Sequence, residues 1–341
     1  MEIREPERLT PVVGEADVIV VGSGPGGLSA AIAAARAGVS VILIERFGCF
    51  GGNITSVGVE GFAWYRHEKT IEAGGLAFEY EQRAIESNAA VPESQSKSYE
   101  LDSEGFKVVA DNLVLKAGVR PMLHRAFCAP ILDGDEIKGV ITESKAGREA
   151  ITGKIIIDAT GDADVARRSG VKVFKNKKED MISASVMFHM SGVNKEEFMN
   201  EIERDPQKYS DWSDKNWQVQ TSGKEDDMFS PFLRKPFEKA KDSGLIDSDL
   251  QTISGTWGAI HDTGELTYLN LVHLNGIDGT DPESLTKGEI EGRKAALEAI
   301  AALKEYMPGC SAGKLRNFGM TIGIRDTYKI DSVYNLSLIH I

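Results

Sequence analysis

The pattern of apolar and polar positions near the start of the chain predicts a strand, a helix and a second strand. Residues 17–21 form a short apolar run rich in β-branched side chains, which is typical of a buried parallel strand. Residues 27–37 are mostly alanine and favour a helix that ends at Gly38. Residues 39–44 form a second apolar run, which leads into Glu45. This order predicts the first unit of a parallel α/β sheet.

The rest of the pattern predicts an antiparallel meander and then a second region of different character. Short apolar runs joined by tight turns are typical of a meander. The segments up to residue 159 are helices at 70–86 and 104–117, a polar loop at 87–98, meander strands at 121–132, 137–143 and 148–152, and a buried strand at 154–159. From about residue 171 the chain is more polar, with predicted strands at 183–190, 266–274 and 315–324 and an amphipathic helix at 285–306.

Three glycines follow the first strand with the spacing G-x-G-x-x-G: Gly22, Gly24 and Gly27. The first permits a tight turn, the second lets the backbone approach a pyrophosphate, and the third lets the helix pack closely on the sheet. The helix N-terminus offers N–H groups to the phosphates, and Glu45 is placed to accept hydrogen bonds from a ribose. A glycine-rich turn without a ligand is the alternative, but the flanking strand and helix favour a bound dinucleotide.

Two further turns point to the same ligand. The loop at 46–53 is rich in glycine, so its backbone can lie against a flat ring system, although an ordinary surface loop would have a similar composition. The buried strand at 154–159 enters a second glycine turn at 160–164, which is expected to place Gly161 and Asp162 near the ligand. Asp162 and Asp164 are also suited to capping the helix that is expected to begin near Val165.

Charge and cysteine content narrow the function further. The net charge of −13 argues against nucleic acid or an anionic membrane surface as the main partner. No apolar run approaches the roughly 20 residues that a membrane helix needs, and residues 1–15 lack a secretory signal, so a cytoplasmic location is expected. Cys49, Cys128 and Cys310 are far apart and form no C-x-x-C, so the sequence predicts no metal site.

Five stretches resemble the glutathione-reductase-like superfamily of FAD proteins. Within it, the chain is similar to fumarate-reductase-like flavoproteins and to relatives of heterodisulfide reductase. The matching stretches are VVGSGPGGLSAA at 20–31, LIERFGCFGG at 43–52, IIDATGDADVA at 156–166, NGIDGTDPESLTKGEIEGR at 275–293 and IGIRDTYKI at 322–330. The resemblance implies an α/β fold with a Rossmann-type FAD-binding domain, built from a parallel sheet and a β-meander, and an inserted α+β substrate domain.

The resemblance also implies which residues contact FAD. The first turn would contact the pyrophosphate, the end of the second strand would bind the adenosine ribose, and the following loop would lie near the flavin. In the same order the residues are Gly22, Ser23, Gly24 and Gly27; Glu45; and Gly51, Gly52 and Asn53. Pro25, Gly26 and Arg46 are also expected among the cofactor-binding residues. Phe127 or Cys128 is expected to offer backbone contacts to adenine, and Gly161 and Asp162 to complete the nucleotide end. Some relatives carry a 4Fe–4S cluster, which the three scattered cysteines here do not support.

The expected function is that of an FAD-dependent oxidoreductase that moves a hydride between a small organic substrate and flavin N5. The candidate catalytic side chains are His67, His273 and Arg325. His67 follows two aromatic residues, which suits either a ligand pocket or a structural pair, and Arg325 suits either an anionic group or a structural ion pair. Two alternatives are a non-catalytic FAD-binding or electron-transfer protein that needs a redox partner, and a dehydrogenase that uses NAD(P) alone.

The expected division of the chain is an FAD-binding domain at 1–174 and a substrate domain at 175–320. Residues 321–335 would begin the return to the FAD domain. Residues 336–341 resemble a translated adapter and are excluded from the fold prediction. Because relatives continue with a closing segment near the flavin, the chain is expected to be a truncated fragment.

Overall fold

The structure of the protein is a computed structural model, which describes residues 2–4, 6–61, 74–92, 99–205 and 232–333. These residues form two compact units. One unit comprises the described parts of Met1–Gly52, Ala110–Lys175 and Tyr328–Ile341, and the other comprises those of Asn53–Val109 and Asn176–Thr327.

Strands and helices are numbered separately in chain order. The elements up to residue 175 are β1 (Val12–Val21), α1 (Pro25–Arg36), β2 (Val41–Ile44), a π-helical turn (Asn53–Val57), α2 (Leu76–Glu86), β3 (Ala90–Pro92), β4 (Tyr99–Leu101), α3 (Ser103–Lys116), β5 (Arg120–Met122), β6 (Ala126–Asp133), β7 (Glu136–Ser144), β8 (Gly147–Asp158), α4 (Asp164–Arg168) and β9 (Val173–Phe174). They are followed by a 3₁₀ turn (Lys178–Asp180), β10 (Ala184–Ser191), α5 (Lys195–Arg204), β11 (Phe232–Leu233), α6 (Lys235–Asp242), β12 (Ile253–Thr256), β13 (Leu266–Leu274), α7 (Pro282–Tyr306), β14 (Lys314–Phe318) and β15 (Lys329–Ile330).

The first unit is built on a six-stranded sheet in the order β5-β2-β1-β8-β7-β6. Strand β1 pairs in parallel with β2 and β8, whereas β6, β7 and β8 form the antiparallel meander. The inner strand positions form an apolar core with Ile19, Ile42 and Ile151 at its centre. The predicted α/β fold class and the parallel sheet with a β-meander are confirmed.

Two strand predictions in this sheet were wrong. The meander strand at 148–152 and the buried strand at 154–159 are one strand, β8, which pairs with β7 along its first half and with β1 along most of its length. Gly153 lies within this continuous strand. Glycine is needed there because a Cβ atom would lie 2.9 Å from the Ile19 side chain. Conversely, the predicted strand at 121–132 is two strands, since His124 has a left-handed φ of 57° between β5 and β6.

The second unit is built on a five-stranded antiparallel sheet in the order β11-β12-β13-β10-β14. Helix α7 packs on one face of it, and Gly292 permits the close approach, because a Cβ atom there would lie 2.2 Å from Val186 Cγ2. Helix α7 begins at Pro282, before its predicted start, because the side chain of Asp281 caps it by accepting from the N–H of Glu283. Strand β14 is shorter than the prediction of 315–324.

The contact-based units divide the chain differently from the sequence-based domains in two places. Residues 53–109 group with the second unit, and the chain returns to the first unit at Tyr328 rather than near residue 321. Within residues 53–109, β3 and β4 form a hairpin, so part of the predicted loop at 87–98 is a strand. Residues 62–73, 93–98 and 334–341 lie outside the described residues. The first part of the predicted helix at 70–86 and all of 336–341 therefore stay predictions.

Within the described ranges, no helix is both long enough and apolar enough to cross a membrane.

Candidate cofactor site

The first glycine turn has the geometry that the motif requires. Gly22 has a φ of 95°, and a Cβ atom there would lie 2.3 Å from the carbonyl oxygen of Ala159 at the end of β8. A Cβ atom on Gly27 would lie 2.0 Å from the Gly22 carbonyl oxygen. These two glycines are therefore explained by the protein's own packing, between the turn, helix α1 and strand β8.

Gly24 and Gly26 have no such explanation. A Cβ atom on either would meet no protein atom within 4 Å, and neither has a positive φ. Helix α1 has no side-chain cap and no acidic residue in its first turn, and its first backbone bond runs from Leu28 N to Gly24 O. Bare backbone, open space and a helix N-terminus together suit an anionic group such as a pyrophosphate, so the residues present fit a dinucleotide.

Glu45 ties the first turn to the end of β2. Its Oε2 accepts hydrogen bonds from the N–H of Ser23 at 3.0 Å and from the Ser23 hydroxyl at 2.6 Å, and its Oε1 accepts from the N–H of Phe47 at 2.9 Å. The carboxylate is buried. The guanidinium of Arg46 lies 4.6 Å from the centre of the Phe47 ring. Glu45 therefore holds the first glycine turn in shape, which is a role beyond the ribose contact predicted for it.

The loop after β2 returns to the first turn, as its position after the strand suggested. The N–H of Gly51 donates to the carbonyl oxygen of Ser23 at 2.9 Å. A Cβ atom on Gly52 would lie 2.5 Å from Gly24 Cα, so only glycine permits this approach. Asn53, the next predicted contact, begins the π-helical turn of the second unit.

The second glycine turn is organised by Asp158, which the sequence analysis did not single out. Its Oδ1 accepts from the N–H and hydroxyl of Thr160 at 3.1 and 2.7 Å, and its Oδ2 accepts from the N–H of Ala166 at 2.9 Å. No side chain caps α4 at its N-cap residue, Ala163. Thr160 and Asp158 accept from the N–H groups of Asp164 and Ala166 at the start of α4, and capping by Asp162 or Asp164 stays a prediction. Gly161 has a φ of 81° and open space beside it.

Phe127 and Cys128 lie on β6, at the outer edge of the sheet. The guanidinium of Arg168 donates to the Cys128 carbonyl oxygen and lies 5.7 Å from the centre of the Phe127 ring. The Cys128 carbonyl is therefore engaged with α4.

The three candidate catalytic residues are described to different extents by the structure. His67 lies outside the described residues. His273, on β13, lies opposite Ser185 of β10, and its Nδ1 is 3.4 Å from the Ser185 hydroxyl. Burial lowers the pKa of His273, opposed by a hydrogen bond to the Ser254 backbone and helped to a smaller degree by the charge of Arg325. Arg325 itself is exposed.

A group of buried ionisable residues in the second unit was missed by the sequence analysis. Glu60 and His189 are 2% and 3% exposed, and Glu60 Oε1 lies 3.6 Å from His189 Nε2. Glu60 Oε1 also accepts from the N–H of Ser103 at 2.9 Å. These residues come from three distant stretches of the chain, so no local pattern could have joined them.

The three cysteines, all of them described, form no disulfide. Burial raises the pKa of the Cys310 thiol to about 12, so this residue is a packing group rather than a reactive thiolate.

Comparison with solved structures supports the fold. A geranylgeranyl bacteriochlorophyll reductase-like protein from Thermoplasma acidophilum aligns with a TM-score of 0.56 at 16% identity, over 91% of this chain and 66% of that one. The myxobacterial chondrochloren halogenase CndH aligns with a TM-score of 0.56 at 13% identity, over 95% of this chain and 67% of that one. At such low identity these similarities show a shared fold.

Sequence comparison finds relatives of this chain and a matching family. A thiamine thiazole synthase from Saccharolobus islandicus is 30% identical over 171 residues, which cover 47% of this chain and 60% of that protein. A digeranylgeranylglycerophospholipid reductase 2 from Methanopyrus kandleri is 30% identical over 192 residues, which cover 54% of this chain and 46% of that protein. The chain thus spans less than two thirds of the length of these relatives. Residues 17–341 match the family described as FAD dependent oxidoreductase, and the chain belongs to that family.

Proposed function

We propose that this chain holds FAD at the two glycine turns and moves a hydride between a small organic substrate and flavin N5. One observation supports the cofactor proposal most strongly. Gly24 and Gly26 are bare backbone at a helix N-terminus where the protein itself neither fills the space nor requires glycine. When bound, the flavin supplies the hydride chemistry, and the protein supplies binding, orientation and proton handling.

The proposed cofactor contacts follow the order of the first unit. The N–H groups at the start of α1 would bind the pyrophosphate, together with the backbone of Gly24 and Gly26. Ser23, whose N–H and hydroxyl both donate to Glu45, would hold the turn in shape. Glu45 would accept from the ribose while it keeps its bonds to Ser23. The remaining proposed contacts are Arg46, Gly51, Gly52, Asn53, Phe127, Cys128, Gly161 and Asp162.

The proposed substrate groups lie in the second unit. Arg325 would bind an anionic group of the substrate, and His273 would orient a polar group beside it. The Ser185 hydroxyl lies 3.4 Å from Nδ1 of His273 and would help to orient the ring. Because burial lowers the pKa of His273, the ring is neutral at physiological pH and can accept a proton or a hydrogen bond.

The finer kinship that the sequence suggested is part of this proposal. The late stretches at 275–293 and 322–330 favour relatives of fumarate-reductase-like flavoproteins and of heterodisulfide reductase. For a flavoprotein of this kind, a redox partner protein is the proposed second reactant. The relatives found by sequence comparison carry the names of a thiazole synthase and a phospholipid reductase, and neither chemistry is assigned to this chain.

Anaerobic absorbance spectroscopy of the FAD-loaded chain tests the function. We expect NADH, NADPH or a member of a panel of small hydroxy, amino and carboxylic acids to bleach the flavin band. Replacing Arg325 with Gln should weaken bleaching by an acidic compound at least about tenfold, equivalent to the loss of roughly 1.4 kcal/mol. Arg234→Gln, on the exposed ion pair with Glu238, is the matched control. If dithionite reduces the flavin but none of these compounds does, the electron-transfer alternative is favoured instead.

A further inference from the structure

The face of the second unit's sheet that lies away from α7 carries polar side chains. Along β10, Val186, Phe188 and Met190 belong to the core beneath α7. Neighbouring side chains of a strand point to opposite faces, so Ser185, Met187 and His189 face away from that core. We call this surface the polar face; pairing adds His273 of β13, opposite Ser185, and Asn317 of β14, opposite His189.

Residues 58–60 lie against the polar face. A Cβ atom on Gly58 would lie 3.7 Å from Met187 Cβ and 3.8 Å from His189 Nε2. The Glu60 carbonyl accepts from the N–H of Leu101, which fixes this segment beside β4. The Glu60 carboxyl is thereby held next to the imidazole of His189.

The Glu60 and His189 side chains are both buried. Oε1 of Glu60 and Nε2 of His189 are 3.6 Å apart, slightly beyond hydrogen-bond length. The other ring nitrogen, His189 Nδ1, is buried with no hydrogen-bond partner among the described residues. A buried polar atom left in this way is costly unless another group uses it.

The surrounding charges come from several elements. Burial raises the pKa of Glu60 to about 8, with Asp102 adding to the rise and the Ser103 hydrogen bonds and Arg316 opposing it. Burial also lowers the pKa of His189 to about 4, helped by Arg316 and His261 and opposed by Asp102 and Glu104. The carboxylate of Glu100, itself buried, lies close to Gly61. Burial thus favours the uncharged form of both partners.

We propose that Glu60 and His189 form a proton-holding pair at the polar face, in which a protonated carboxyl is held against a neutral imidazole. The carboxyl stores the proton and can pass it to the lone pair of Nε2, while Nδ1–H releases its own proton to a basic oxygen or nitrogen of an occupant of the face. The ring then stays neutral and Glu60 is left as the carboxylate. A pair of this kind suits a substrate that gains or loses a proton at oxygen or nitrogen as it is reduced or oxidised. The stored proton needs no flavin; its use in turnover depends on the proposed function.

Infrared spectroscopy at pH 7 tests the stored proton directly. We expect the carbonyl-stretch band of a protonated carboxylic acid, which Glu60→Gln removes. Glutamine keeps an oxygen for the Ser103 N–H, so the variant should fold. Glu203→Gln, at an exposed position on α5, should leave the band unchanged. Absence of the band from the wild-type protein would mean an ionised Glu60 and would overturn the pair.

The pH dependence of stability gives a second measurement. The pKa of Glu60 is about 8 in the folded state against 4.5 ordinarily, so the free energy of unfolding should fall as pH rises from about 4.5 to 8. The pKa of His189 is about 4 against 6.5 ordinarily, so its contribution should rise with pH between about 4 and 6.5. The two effects oppose each other at low pH, and from about 6.5 to 8 only the Glu60 decline remains. Glu60→Gln should abolish that decline in denaturant titrations; a decline that persists would contradict the pair.

A final comparison separates proton storage from proton use. Light-driven reduction of FAD-loaded protein should shift or remove the acid band if the pair exchanges its proton during turnover. A band that is present but unchanged on reduction would overturn its use in the reaction and leave a structural carboxyl. A protein that shows the band but retains no FAD would contradict the proposed function and leave the proton-holding pair in place.

Discussion

At the scale of single residues, the glycines of the first turn separate into two kinds. Gly22 and Gly27 are required by the fold, since a side chain on either would run into backbone atoms. Gly24 and Gly26 face open space and are expected to serve the ligand. A motif match cannot make this distinction, because all four are the same letter in the sequence.

This difference predicts opposite outcomes for two alanine variants. Gly24→Ala should change the free energy of unfolding by less than about 1 kcal/mol and weaken FAD binding at least about tenfold. Gly22→Ala should destabilise the protein by at least about 3 kcal/mol, because it combines a left-handed φ with a clash against Ala159 O. Denaturant unfolding and FAD titration measure the two effects. If Gly24→Ala bound FAD as tightly as the wild type, this turn would not be the pyrophosphate site.

At the scale of elements, the long strand β8 joins the meander to the parallel sheet. It pairs with β7 on one side and β1 on the other, and it ends at Asp158. The sequence predicted a meander strand at 148–152 and a separate buried strand at 154–159 here. Gly153 is the position at which β8 can accommodate the Ile19 side chain.

Asp158 should matter for stability and for the cofactor together. Asp158→Ala removes the acceptor for the N–H groups of Thr160 and Ala166, so we expect a loss of about 3 kcal/mol and weaker FAD retention. Asp158→Asn keeps one side-chain oxygen, so its stability should lie between those of the wild type and Asp158→Ala. The exposed turn residue Asp135 is the control, since Asp135→Ala should stay within about 0.5 kcal/mol of the wild type. Thermal unfolding of the three variants checks this, and a wild-type melting temperature for Asp158→Ala would contradict the assigned role.

At the scale of the whole molecule, local signals predicted most elements of the first unit and also β10, β13 and α7 of the second, but not the buried ionisable group of the second unit. The strand, the glycine turn and helix α1 are contiguous, so period and motif identify them together. Glu60, Ser103 and His189 meet only because a sheet, a helix start and a connecting segment converge, and a sequence carries no local sign of that. Likewise, the grouping of residues 53–109 with the second unit depends on long-range packing.

The most direct test of the central claim is the absorbance spectrum of the purified chain after incubation with FAD and removal of unbound flavin. We expect the wild type to retain flavin bands at about one FAD per chain, and Gly24→Ala to lose them at the same folded content. A wild-type protein that is folded by circular dichroism but emerges colourless would contradict FAD binding at the glycine turns.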